Sequence, residues 1–162
     1  MKSDSHKTII VNDLEAAKQK LNEKKLSLVI VKSLKSIFET STSGLAGFLQ
    51  AIKELNGRLS GSSAADVIVG KAAALLCAYS HIEGVYAHVL SESGLEILDL
   101  HNIPVEFEHL VPTILNLKKT DKCPFERLVE NIVNPHDAYL TICDSIMQKD
   151  CSQDKTRGYA YK

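Results

Sequence analysis

Apolar positions recur along this chain with two periods, and the switches between them mark out the predicted elements. Leu14, Ala17 and Leu21 repeat at helical spacing, and Asn12 followed by Glu15 has the form of a capping box, so a helix is predicted from 12 to about 24. The run LSLVIVK (26–32) is β-branched and almost wholly apolar, as a central strand is. SIFET (36–40) follows after a short polar turn, which predicts an antiparallel hairpin. Leu45, Phe48, Leu49, Ile52 and Leu55 return to the helical period, with Gly57 as the stop signal.

The next segment, SSAADVIVGKAAALLCAYS (62–80), is apolar nearly all round and predicts one helix, packed on the sheet and covered on its other side. GVYAHVL (84–90) reads as a strand and SGLEILDLHN (93–102) as a helix. IPVEFEHL (103–110) alternates Ile103, Val105 and Phe107 with polar neighbours, the pattern of a strand with one wetter face. Two helices close the chain: one with Phe125, Leu128, Val129 and Ile132 along a side, and one from about Pro135 to Gln148. The predicted order is α-β-β-α-α-β-α-β-α-α. A hairpin followed by β-α-β crossovers implies an α/β protein: a three-layer α/β/α domain on a mixed sheet, with strands 84–90 and 103–110 parallel. The expected limits are an N-terminal extension (1–11), a single domain (12–148) and a polar tail (149–162).

Composition narrows the functional classes. The 162 residues suit one domain, and a formal net charge of −1 with both signs scattered argues against nucleic acid or a membrane surface as partner. The longest apolar stretch, VIVGKAAALLCAY, is interrupted by Lys71 and too short to span a bilayer, and the first residues lack the apolar run of a signal peptide. The expected location is cytoplasmic, with Cys77, Cys123, Cys143 and Cys151 reduced and none in CxxC spacing. Oligomeric state is left open, a homo-oligomer included.

Candidate chemistry lies at three places. At VLSESGLEIL (89–98) a strand meets a helix: Ser91 and Ser93 can cap it, Gly94 permits close approach, and the free N–H groups favour an anion. A plain serine N-cap explains the same letters. Lys71, inside an apolar helix, either snorkels outward or meets something negative; Asp66, five residues earlier, would lie on a different helical face. VGKAA is no phosphate loop, since Ala65 and Ala72 stand where glycine and a hydroxyl belong. In KCPFERL, Cys123 has the place of an N-cap, Pro124 the first helical position, and Glu126 the capping-box spacing. A thiol at a helix start gains thiolate character, which makes Cys123 the candidate reactive group; a small buried residue is the plain alternative. His81, His88, His101 and His109 show no metal-ligand spacing.

The element order, together with VGKAAALL, LVPTILN and CPFERLV in that sequence, resembles a small microbial family of unknown function that has the cytidine deaminase fold without its zinc centre. The resemblance covers roughly residues 12 to 145. Zinc deaminases place H-x-E or C-x-E at the start of one apolar helix and P-C-x-x-C at the start of the next. Aligned to that pattern, Val69 stands at the histidine ligand, Lys71 at the glutamate, Ser93 at the proline, and Gly94 and Ile97 at the two cysteines. None of these can ligate zinc as a histidine or cysteine does, so the resemblance implies neither metal nor cofactor and no zinc deamination. It implies a cleft bordered by Lys71, Ser91, Ser93, Gly94 and Cys123, suited to binding or sensing a small anionic or nucleotide-like ligand. The rival expectation is a cysteine-dependent enzyme with Cys123 as nucleophile and His88 or His109 as its base. A third is a purely structural or partner-binding module, with the polar tail as the contact.

Overall fold

The predicted hairpin forms as β1 (Leu28–Lys32) and β2 (Lys35–Thr40), paired antiparallel. Its turn residues Ser33 and Leu34 both take positive φ, 51° and 63°, a left-handed conformation that costs a non-glycine residue energy. A buried carboxylate supports the turn from outside. Asp13 accepts the N–H of Ser33 at 3.0 Å and of Leu34 at 2.7 Å. Asp13 belongs to α1 (Asp4–Glu23), which lies across one face of the sheet. The computed structural model describes residues 3–152, with side-chain environments through 148.

Segment 62–80 is not one helix. It divides into β3 (Ser63–Val69) and α3 (Lys71–Tyr79), with Gly70 between them. β3 lies between β1 and β4 (Gly84–Ser91), so both its faces meet helices and its apolar run carries no strict alternation. A doubly covered strand of this kind has the same apolar signature as a buried helix, which is why the pattern misleads. The helical expectation holds for α3, whose residues Ala72 to Cys77 are all buried.

The remaining elements are α2 (Leu45–Leu55) with a 3₁₀ turn at Asn56–Leu59, α4 (Glu92–Leu100), β5 (Val105–Val111), α5 (Pro124–Leu128) and α6 (Pro135–Ser152). The sheet order is β2-β1-β3-β4-β5. β1 is antiparallel to both neighbours, while β3, β4 and β5 are mutually parallel, as the crossover argument requires. Ala17 and Leu21 of α1 pack on Val29, Val31, Ala65 and Tyr86 on one face. The larger core covers the other, where Ile30 and Ala64 meet Phe48, Leu75 and Leu98, and α6 lies over α3. The architecture is α/β with three layers.

Two predicted boundaries move, and one strand face differs from its pattern. α1 starts at Asp4, capped by Ser3, because Ile10 adds a buried turn ahead of Leu14; residues 4–11 are helix, and Asn12 lies inside α1. α6 runs on to Ser152, four residues past the predicted end, and the rest of the predicted tail lies outside the described residues. β5 is an edge strand with both faces open, so Phe107 is 38% exposed in spite of its alternating pattern. Among the described residues no helix is long and apolar enough to cross a membrane.

Candidate functional site

The parallel strands β3 and β4 end side by side, and each feeds directly into a helix. At the first junction Gly70 is the N-cap of α3 and has no side chain to offer the exposed N–H groups. Glu126 fills that role from α5. Its Oε2 accepts the N–H of Lys71 at 2.9 Å and its Oε1 that of Ala72 at 3.1 Å. Glu126 is only 5% exposed, so two buried donors and one buried carboxylate satisfy each other, with the positive end of α3 in favour. The capping-box spacing in KCPFERL is therefore not used within α5. A Cβ on Gly70 would overlap the Glu126 carboxyl group, which explains glycine at this place.

The second junction is satisfied locally. Ser91, fully buried, accepts the N–H of Gly94 at 3.0 Å as the N-cap of α4, and Ser93 Oγ lies 3.2 Å from Ser91 Oγ. Gly94 brings the junctions together: a Cβ there would lie 3.1 Å from the Gly70 carbonyl and from the Val69 oxygen. The backbone of α4's first turn thus rests on the start of α3.

Beside these termini, at the carboxyl end of β3, is a cavity of about 530 Å³. Its walls are largely apolar, with Ile68, Ala73, Ile114, Leu117 and Phe125 among them. Asp66, Lys118, Cys123 and Glu126 are its titratable groups. Asp66 lies on the same side of β3 as Ala64, toward α3, rather than on a helix. It accepts the N–H of Ile68 at 3.3 Å, and burial pushes its carboxyl up to about 7.

The expected site residues divide between these two regions. Ser91 and Gly94 are buried at the α3–α4 contact with Ser93 beside them, and none of the three lines the cavity. Lys71 is the first residue of α3 and does not sit mid-helix; its Nζ turns away and donates to the Glu130 carbonyl at 2.7 Å. Cys123 does line the cavity, as the N-cap of α5, with no side-chain capping bond of its own. Neither proposed base joins it: His88 Nε2 lies 2.6 Å from Asn22 Oδ1 of α1, and His109 is on the β5 edge. Cys77 is a core residue whose thiol is pushed up by burial.

Asp66 and Glu126 are the groups that pattern reading missed. Asp66 was hidden by the helical reading of 62–80. Glu126 was visible as a capping residue, but its target lies 55 positions away. At the opposite end of the parallel strands a second hollow of about 600 Å³ gathers His81, His101 and His136 with Glu83. Among the described residues, no three His, Cys, Asp or Glu side chains are placed to hold a metal ion.

Residues 16–146 match the TM1506 family, described as a domain of unknown function (DUF1893). The crystal structure of a DUF1893 family protein from Thermotoga maritima is similar to this chain at 28% identity and a TM-score of 0.76, over 83% of this chain and 90% of that one. No curated protein matches. With the family pattern spanning most of the domain, and a solved member sharing its fold, this chain belongs to the DUF1893 family.

Proposed function

We propose that this chain is a deaminase-like domain that binds or senses a small organic ligand without zinc catalysis, in the cavity at the carboxyl end of β3. The observation that carries the reading is that cavity: about 530 Å³, mostly apolar, with a few polar groups in its wall, at the strand ends where open α/β sheets take ligands. The deaminase resemblance supports it, because a nucleobase-sized body fits such a volume and such walls. An anionic head beside Lys71 and Ser91 would meet groups already engaged, the Lys71 ammonium by the Glu130 carbonyl and Ser91 Oγ by the Gly94 N–H. Glu126 already occupies the α3 terminus, Ser91 that of α4, and a phosphate would have to displace a buried carboxylate. For zinc chemistry the positions Val69, Lys71, Gly94 and Ile97 offer no ligand set.

Cys123 as a nucleophile is the second reading, favoured by its place in the cavity wall. It lacks its expected base, since no histidine is among the lining residues.

The test is a fragment screen by ligand-observed NMR on the wild type and on two variants that crowd the cavity, Ala73→Leu in its wall and Ser43→Trp in the adjoining loop. Bound fragments are expected to be lost or weakened at least tenfold in one or both variants, with circular dichroism unchanged. Fragments that bind all three proteins alike would place binding elsewhere and sink the reading.

A further inference from the structure

The cavity contains an imbalance that its own residues leave uncorrected. Two carboxyl groups line it, and they stand in different situations. Glu126 is fully engaged by the N–H groups of Lys71 and Ala72, and the helix behind them offsets its charge. Asp66 has backbone N–H contacts only, from Ile68 at 3.3 Å and from Val67, and no side chain pairs with it among the described residues. From α3, the buried Cys77 is within electrostatic reach of Asp66 and adds no positive charge. Lys118 is the single cation of the lining, and it is exposed. A half-buried carboxylate in a wall of apolar side chains, facing a ligand-sized space, is costly when ionised and unpaired.

We infer that the cavity takes a ligand with a flat or compact apolar body and a cationic nitrogen head, such as an amidine, guanidine or protonated amine, whose head pairs with Asp66. This rests on the reading of the cavity as a ligand site and adds the chemical class. The cation supplies at Asp66 what the fold supplies at Glu126: donors and a compensating positive charge. The apolar body replaces water against Ile68, Ala73 and Leu117. Without a cation, desolvation favours the protonated form of Asp66; a bound cation would favour the ionised one. An amidinium makes two parallel hydrogen bonds to one carboxylate, the geometry that gives such pairs their specificity.

The experiment compares three probes of one shape by titration calorimetry on the full chain: benzamidine (cation), benzamide (neutral) and benzoate (anion). Benzamidine is expected to bind the wild type at least tenfold more tightly than benzamide, with benzoate weakest. In Asp66→Asn, nearly the same shape without the charge, the preference for benzamidine over benzamide should fall below twofold. Asp66→Ser serves as a second variant should the first lose its fold. Equal binding of benzamidine and benzamide to the wild type would overturn the inference, and so would a cation preference that survives both substitutions. The two readings fail separately. If benzamide or benzoate binds best and Ala73→Leu blocks it, the cavity stands as a ligand site and the cationic class falls; if none of the three binds, both fall.

Discussion

The starts of α3 and α4 stand side by side and solve the same problem in opposite ways. Each helix opens with unpaired N–H groups at the end of a parallel strand. α4 is capped by Ser91, three residues from the amide it serves, so that cap forms within the local chain. α3 opens on a glycine and waits for Glu126, which arrives only when α5 has docked. One cap is a property of local sequence; the other is a tertiary contact made through a buried carboxylate. The difference also decides what chemistry is left. Each terminus carries a cap, Ser91 on Gly94 and Glu126 on Lys71 and Ala72, and an open polar group nearby is the carboxyl of Asp66.

The contrast can be broken most strongly at Glu126. Glu126→Ala strands two buried N–H groups and removes the link between α5 and α3, and should cost about 3 kcal/mol in urea unfolding. Faster hydrogen exchange at Lys71 and Ala72 is expected with it. A loss below about 1 kcal/mol would mean that water from the cavity caps α3 as well as the carboxylate does.

Asp66 sharpens the same comparison, as a carboxyl without Glu126's partners. Folding raises its pKa to about 7 from an ordinary 3.8, so between those values the folded chain holds a proton that the unfolded chain has released. Stability then falls as pH rises from about 4 to about 7, and levels off above it. Asp66→Asn should remove that slope, with a gain on the order of 2 kcal/mol at pH 8 and little difference at pH 4. Parallel pH profiles for wild type and variant would show that burial does not burden this carboxyl.

The smallest effect is expected at the local cap. Ser91→Ala should cost about 1 kcal/mol and leave hydrogen exchange at Lys71 and Ala72 nearly unchanged, because the loss is confined to α4's first turn. A cost equal to that of Glu126→Ala would show that the two termini fold as one unit through the Gly94–Gly70 contact.

Much of the fold is legible in local pattern, and what is legible has a common cause. The hairpin, the helices α2 and α4 and the Ser91 cap depend on residues close together in the chain, and the parallel pair β4–β5 on the single helix that joins two consecutive strands. Hydrophobic period and capping chemistry act at that range, so they leave a trace in the letters. Cys123 at the start of α5 belongs to the same group: its helix position is readable from Pro124. Its place in a cavity wall is not.

The rest was decided by three-dimensional packing. β3 lies between two strands with helices over both faces, and apolar residues on both of those faces erase the alternation that would distinguish it from α3. That single loss of signal concealed the carboxyl of Asp66 and put Lys71 mid-helix instead of at a helix start. Glu126 carries a capping residue's letters, yet the choice between its own helix and α3 depends on where α5 comes to rest. Desolvation made the choice: once α5 packs over α3, the N–H groups of Lys71 and Ala72 are cut off from water, and the carboxylate that reaches them satisfies both helix and acid.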